Sequence, residues 1–170
     1  MSKKVVFIIA QKNFRDEELL VPKEILVNHG FMVKVAARTK NKAIGKLGAE
    51  IQPDLALAEI KVTDFDAIAF VGGSGATEYF DDLTALKLAK DFKIAGKITA
   101  AICIGPSILA NAGVLIGKTA TAFPSQEENL KNKGADYTGM TVEIDGLVVT
   151  AKDPNAAKEF GEKLAYLLSE

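Results

Sequence analysis

Short apolar runs alternate along this chain with longer segments in which apolar residues recur at helical spacing. Residues 5–10 are continuously apolar, which is typical of a strand covered on both faces. Residues 18–28 carry leucine and isoleucine at helical spacing, and Gly30 then supplies a stop signal. The same pattern predicts further strands at residues 31–37, 64–71 and 98–102, and helices at residues 85–95 and 105–112.

The C-terminal third contains local signals for two helix starts and one hairpin. Ser125 and Glu128 match a Ser-x-x-Glu capping box, which predicts a short helix to about residue 133. Asp145-Gly146 between two apolar runs predicts a hairpin of residues 142–144 with residues 147–150. Asp153, followed by proline, predicts the N-cap of a last helix that ends near residue 168.

Strands that alternate with helices indicate a three-layer α/β/α sandwich around a mostly parallel sheet. In such sheets, ligands bind beyond the carboxyl ends of the strands. Three segments should lie there: the loop at residues 11–17 with Glu18 opening its helix, the turn at residues 72–75, and Cys103. We therefore expect these sequence-distant segments to share one rim of the sheet.

Composition narrows the class of protein. With 170 residues, 48% of them hydrophobic, we expect a single domain over residues 1–170. The 21 basic and 22 acidic residues give a net charge of −1, so we expect neither a nucleic-acid nor a membrane partner. One cysteine cannot form an internal disulfide, which fits a reducing, cytoplasmic location. The first apolar run is too short for an export signal, and none approaches the ~20 residues of a membrane span.

Cys103 is the strongest candidate for chemistry. It ends an apolar run and is followed at once by Ile104-Gly105-Pro106. A thiol at such a strand-to-helix corner would lie near the unpaired N–H groups of the next helix, which favour a thiolate. A lone cysteine is also commonly a small buried hydrophobe, and this segment alone leaves both interpretations open.

Two neighbouring segments also have a chemical and a plain structural interpretation. Gly72-Gly73 can bring backbone N–H groups close to a developing oxyanion, although an ordinary tight turn would use the same residues. The glycines do not follow a dinucleotide-binding pattern, which excludes nucleotide binding. Glu18 belongs to an acidic first helical turn, where carboxylates are ordinarily solvated. Buried beside Cys103, it would instead have a raised pKa and could donate a proton to a thiolate.

Five strings carry a resemblance to a known family: FRDEELLVP, FVGGSGATE, AAICIGPSILANAG, GADYTG and DGLVVTAKDP. Together they resemble the ThiJ/PfpI superfamily over essentially the whole chain, with the motifs at strand ends and in the family's order. The resemblance implies a flavodoxin-like fold related to class I glutamine amidotransferases, with Cys103 as the reactive thiol on a nucleophile elbow. It also implies no metal or organic cofactor, and a homodimer or larger homo-oligomer.

The resemblance further implies roles for the residues around the thiol. Glu18 would be a buried, protonated carboxylic acid that hydrogen-bonds the sulfur. The backbone N–H groups of Gly73 and Ile104 would form an oxyanion hole. The residues implied in a supporting role are Gly72, Gly105 and Pro106.

Two histidines found in branches of that family are missing. PfpI-type proteases have histidine directly after the cysteine, where this chain has Ile104, and the deglycase branch has His-Pro where this chain has Phe123-Pro124. The single histidine, His29, adjoins a helix stop, so we expect it roughly 15–18 Å along the helix axis from Glu18, on the opposite rim. Proteolysis by a Cys-His-acid triad within one subunit therefore lacks its base.

Three functions follow from these residues. A thiolate can attack an aldehyde without histidine because no leaving amine needs a proton, so we expect a cofactor-independent glyoxalase or deglycase acting on α-oxoaldehydes or glycated groups, with Glu18 moving the proton. The alternative is a redox-sensing stress-response or chaperone-like binding protein whose cysteine oxidises to the sulfinate. A PfpI-type peptidase or amidase is disfavoured. Expected partners are small carbonyl compounds or protein substrates, and a neighbouring subunit could supply Glu78 or another group.

Overall fold

The structure, a computed structural model, describes residues 2–170. The strands in this range are β1 (Lys4–Ile8), β2 (Lys12–Phe14), β3 (Met32–Ala37), β4 (Ala43–Gly45), β5 (Glu50–Ile51), β6 (Leu55–Ala56), β7 (Ala67–Phe70), β8 (Ile98–Ile102), β9 (Thr119–Ala120), β10 (Asp136–Tyr137), β11 (Val142–Asp145) and β12 (Val148–Ala151). The α-helices are α1 (Asp16–Asn28), α2 (Leu83–Ile94), α3 (Pro106–Asn111), α4 (Glu127–Asn132) and α5 (Ala157–Leu168). The elements thus alternate broadly in the predicted order.

A seven-stranded sheet has the order β11-β12-β8-β7-β1-β3-β6, and every pair in it is parallel except β11 with β12. Alternate residues of β1 are buried on opposite faces: Phe7 belongs to a core with α1 and α5, and Ile8 to a core with α2 and α3. Apolar residues are therefore needed at every position of this strand. The fold is the predicted three-layer α/β arrangement. No helix within residues 2–170 is long and apolar enough to cross a membrane.

The C-terminal hairpin forms one residue away from its predicted register. Asp145 pairs with Val148, so the two-residue loop consists of Gly146 and Leu147 rather than Asp145 and Gly146. Gly146 has a φ of +63°. Glycine at the first loop position is the requirement of a type II′ hairpin turn, and this requirement fixes the register.

The predicted capping box at Ser125 is wrong, because Pro124 starts a turn before the serine. Ser125 lies inside the 3₁₀ turn Pro124–Gln126, and α4 begins afterwards without a side-chain cap. Glu127 in the first turn of α4 instead pairs with Lys131 at 2.5 Å. The N-cap predicted at Asp153 is confirmed, since its carboxylate accepts an N–H from the following 3₁₀ turn.

A small sheet that the sequence pattern did not predict shapes the rim beside α1. Its strands have the order β2-β4-β5, and β2 lies in the segment predicted to be the loop at residues 11–17. Asp16, only 6% exposed, accepts the N–H groups of Leu47 at 2.9 Å and Ala49 at 2.8 Å. The N–H of Lys46 donates to the carbonyl of Phe14 at 2.9 Å. The turn at residues 46–49 is thereby held against the start of α1.

Candidate active site

Cys103 stands at a strained corner between β8 and α3. Its φ is +65°, a left-handed conformation that among the non-glycine residues of 2–170 is shared only by Asn13. The N–H of Cys103 donates to Ala151 O at 2.9 Å, and its carbonyl accepts the N–H of Phe123 at 2.8 Å. Such strain costs on the order of 1–3 kcal/mol and is concentrated at functional sites. The corner therefore has the geometry of a nucleophile elbow.

Glycines make room for this corner. A methyl group on Gly105 would lie 2.8 Å from the carbonyl oxygen of Phe70. A methyl group on Gly72 would lie 2.5 Å from Glu18 Oε1 and 2.7 Å from Cys103 Cβ. A Cβ atom in a protein does not lie this close to a non-bonded atom. Both positions therefore require glycine. Gly72 is thus the point at which the carboxyl and the cysteine side chain meet.

The backbone N–H groups of Gly73 and Ile104 are directed at the Cys103 sulfur, and both act to lower the pKa of the thiol. Neither N–H has a backbone acceptor among residues 2–170. Gly73 has a φ of +97°, a conformation that favours glycine. On the other side of the sulfur, α3 begins at Pro106, two residues after Ile104. Two free N–H groups beside a sulfur can stabilise negative charge on it, or on an oxygen bound to a carbon that the sulfur attacks.

Glu18, in the first turn of α1, is completely buried. Its Oε1 accepts the N–H of Gly72 at 2.9 Å, whereas its Oε2 has no regular hydrogen-bond partner. Burial raises the pKa of Glu18 to about 7, and the contact with the Cys103 thiol and the Gly72 N–H only partly oppose this rise. A proton on Oε2 would remove the buried charge and supply a donor towards the sulfur.

The pKa of the Cys103 thiol is raised, whereas its position before a helix start predicted a lowered pKa. The pKa of Cys103 is raised to about 12, mainly by burial and then by the Glu18 carboxylate, and the N–H groups of Ile104 and Gly73 offset only part of the rise. Two acids in contact titrate as a pair. The first proton therefore leaves the pair near the Glu18 pKa of about 7, and a second charge is resisted. Thiolate forms here when the remaining proton moves to the carboxylate.

The consecutive carboxylates at the start of α1 have different environments. The Asp16 carboxylate accepts hydrogen bonds from two backbone N–H groups of the turn after β4. Glu17 accepts two hydrogen bonds from the Arg15 guanidinium, both at 2.9 Å from Nε and Nη2, and this pairing lowers the Glu17 pKa. Glu18 alone faces the thiol. The acidic run indicated a helix start, but it could not distinguish these three positions because their burial depends on the small sheet and on Gly72.

A cleft of about 370 Å³ opens over the sulfur, and Cys103 is 8% exposed at its base. The lining residues are Arg15, Lys46, Gly73, Ser74, Thr77, Cys103, Ile104, Phe123, Ser125 and Pro154. Lys46 could not be predicted as a lining residue, because the small sheet beside it has no sequence signal. The position of Phe123 in the cleft did have a sequence signal, because Phe123 occupies the place of a histidine in the deglycase branch. No aspartate or glutamate is part of the lining.

Two residues considered from the sequence lie outside this cluster. His29 is exposed at the far end of α1, with Nδ1 2.8 Å from the carbonyl of Ile25, as expected from helix geometry. Glu78 accepts a hydrogen bond from Arg38 Nε at 3.0 Å within the same chain. No group of three or more His, Cys, Asp or Glu side chains in the described chain could hold a metal ion.

Known proteins are similar to this chain over most of its length. An uncharacterised protein of Methanocaldococcus jannaschii is 42% identical over 161 residues, covering 93% of this chain and 78% of the relative. A deglycase of Pyrococcus abyssi is 34% identical over 149 residues, covering 88% of this chain and 90% of the relative.

Solved structures match over nearly the whole fold. A ThiJ/PfpI domain protein of Brachyspira murdochii has a TM-score of 0.97 at 32% identity, covering 99% of this chain and 97% of the other. The DJ-1beta protein of Drosophila melanogaster has a TM-score of 0.91 at 31% identity, covering 99% and 91%. Residues 3–167 match the DJ-1/PfpI family. The chain therefore belongs to the DJ-1/PfpI family, as its motifs indicated.

Proposed function

We propose that this protein is a cofactor-independent enzyme of the glyoxalase or deglycase type, in which Cys103 adds to α-oxoaldehydes. The observation that carries the proposal is the grouping of the thiol with two free N–H groups and with a buried carboxyl whose Oε2 lacks a partner. The 34% identity to a deglycase of Pyrococcus abyssi supports an activity of the deglycase type.

The first step follows from the pairing of the two acids. The Cys103 proton passes to Glu18 as the sulfur forms a bond to the aldehyde carbon. The carbonyl π electrons move to oxygen, where the N–H groups of Gly73 and Ile104 stabilise the negative charge. Proton transfer to that oxygen completes a hemithioacetal and returns Glu18 to the carboxylate.

The remaining steps move one proton within the substrate and consume one water. The Glu18 carboxylate removes the proton from the former aldehyde carbon to give an enediolate. Glu18 returns this proton to the adjacent carbon while the hydroxyl proton moves to the former ketone oxygen, which gives a thioester of Cys103. Water then cleaves the thioester, which releases a 2-hydroxy acid and the free thiol. The net reaction adds water to the α-oxoaldehyde and needs no external oxidant or reductant.

The absence of histidine from the cleft lining affects the rate and the choice of reaction. Peptide cleavage requires a donor for the leaving amine, which no lining residue supplies as histidine does in Cys-His enzymes. Addition to an aldehyde has no such leaving group. Loss of a positioned acid–base group typically costs about 10²- to 10⁴-fold, so we expect slow turnover.

Formation of lactate from methylglyoxal by the purified protein tests this function. We expect lactate from the wild type, none above background from Cys103→Ser, and a large loss in Glu18→Gln. His29→Gln is a suitable control because His29 is exposed at the far end of α1. Lactate formation at an unchanged rate in Cys103→Ser, or none from the wild type, would contradict the proposal.

The unpartnered Oε2 of Glu18 also favours a second function, oxidation of Cys103 to the sulfinate. Two equivalents of peroxide add two oxygen atoms to the thiol and release two waters. A protonated Glu18 would donate to one of the two sulfinate oxygens, and the N–H groups of Gly73 and Ile104 to the other. Intact mass after mild peroxide should show two added oxygens in the wild type and none in Cys103→Ser. Indiscriminate oxidation to the sulfonate would oppose a sensing role.

A further inference from the structure

We propose that the cleft selects α-oxoaldehydes that carry a negatively charged group, a carboxylate or a phosphate, and that Lys46 binds this group. The inference rests on the proposed function, because it names the substrate class of the same site. Cys103 and Glu18 act on the aldehyde carbon, so selection for the rest of the substrate must come from other residues of the cleft.

The charges around the cleft support an anionic substrate. Arg15 and Lys46 are the charged side chains in the lining, and both are cations. Arg15 is already neutralised by its two-pronged hydrogen bonds to Glu17. Lys46 has no ion-pair partner within residues 2–170. The cleft lining therefore contains one positive charge that no ion pair neutralises.

Lys46 is held at the cleft by its backbone. Its N–H donates to Phe14 O at 2.9 Å, and the buried Asp16 carboxylate accepts the N–H of the next residue, Leu47, at 2.9 Å. A methyl group on Gly45 would collide with the Asp16 carboxylate, so the chain can reach this position only through glycine. The side chain of Lys46 thus starts from a fixed point on the rim.

The rest of the lining indicates where the other parts of such a substrate would bind. Ile104, Phe123 and Pro154 give the cleft an apolar surface, and Phe123 remains 40% exposed. The aldehyde must reach the Cys103 sulfur for addition to occur. A substrate with an aldehyde, an apolar spacer and an anionic end therefore matches the lining in charge and polarity.

Alkylation of Cys103 tests the charge preference without requiring turnover. Iodoacetate and iodoacetamide are similar in size but differ by one negative charge. The quantity to compare is the rate with iodoacetate divided by the rate with iodoacetamide. We expect this ratio to be about three- to tenfold higher for Cys103 than for the thiol of free glutathione. The ratio should fall by a similar factor in Lys46→Met and further in Lys46→Glu, and salt at about 0.5 M should diminish it.

The matched control is Lys90→Met, which removes an exposed lysine of α2 that is absent from the cleft lining. This variant should keep the wild-type ratio. An unchanged ratio in Lys46→Met and Lys46→Glu, or a ratio insensitive to salt, would overturn the assignment of Lys46.

Turnover of a matched pair of substrates separates this inference from the proposed function. We expect 4-carboxyphenylglyoxal to be converted with a lower KM than phenylglyoxal. In Lys46→Met, the kcat/KM of the carboxylated compound divided by that of phenylglyoxal should fall about three- to tenfold. The fall should come from KM, because the contact of Lys46 with the carboxylate is equally strong in the bound substrate and in the transition state. Failure to convert either compound would overturn the proposed function. Conversion of both with the same ratio in wild type and Lys46→Met would overturn the Lys46 assignment alone.

Discussion

The buried carboxyl of Glu18 makes the fold lose stability as pH rises. Its folded pKa of about 7 lies above the value of 4.5 for an unperturbed glutamate. Between these two values the folded state holds more protons than the unfolded state, so proton binding favours folding. The stabilisation is fully present below the unfolded pKa and is lost as pH rises through the folded pKa.

The size of this effect follows from the shift. Each pKa unit corresponds to about 1.4 kcal/mol, so the shift from 4.5 to about 7 contributes about 3 kcal/mol to the difference in stability between acid and neutral pH. Glu18→Gln keeps an oxygen that can accept the Gly72 N–H but cannot ionise. The variant should therefore lack this pH dependence, and its stability relative to the wild type should improve by about 2–3 kcal/mol between pH values of about 5 and 8.

Urea unfolding at a series of pH values measures this difference. The matched control is Glu17→Gln, because Glu17 is the neighbouring carboxylate and its pKa is lowered by Arg15 rather than raised. Its removal should leave the Glu18 contribution in place. If Glu18→Gln and the wild type show parallel stability curves from pH about 5 to 8, the Glu18 carboxyl does not have the raised pKa on which the mechanism depends.

Three further substitutions test the packing and the cleft. Gly72→Ala should destabilise the fold by about 1–3 kcal/mol and suppress alkylation of Cys103, because the added methyl lies 2.7 Å from its Cβ; urea unfolding and thiol labelling measure both effects. Gly161→Ala should cost about 1–3 kcal/mol in thermal unfolding despite its helix propensity, because its methyl lies 2.9 Å from the Cα of Pro22; a neutral result would refute this close packing. Phe123→His places an imidazole in the cleft and should raise the lactate rate by about ten- to a hundredfold, an increase that must disappear in a Cys103→Ser background.

The fold could be predicted from the sequence because its signals are local. A strand that is apolar at every position, such as residues 5–10, is stable only when helices cover both of its faces. Sheets covered on both faces are mostly parallel, so this run indicates the type of sheet. The errors occur where a single residue competes with the pattern. Pro124 starts a turn ahead of Ser125, and Gly146 sets the hairpin register through its positive φ.

The candidate site was predictable in part. Cys103 and Gly72-Gly73 follow strands, so the topology brings them to one rim. The strain at Cys103, with its φ of +65°, has no sequence signal because cysteine has no preference for that conformation. Nor could the sequence show that burial would outweigh the N–H groups and raise the thiol pKa. Lys46 reaches the cleft through short strands too brief to leave a periodic pattern.

The pH dependence of Cys103 alkylation in the wild type and in Glu18→Gln tests most directly whether the two groups act as one proton-sharing pair. The rate of iodoacetamide labelling in the wild type should rise around a pH of about 7, where the pair loses its first proton. In Glu18→Gln the thiol has no carboxylate to take its proton, so the inflection at a pH of about 7 should be absent and the rate should keep rising towards the higher pKa of the buried thiol. Identical profiles for the two proteins would contradict a role for Glu18 in activating Cys103.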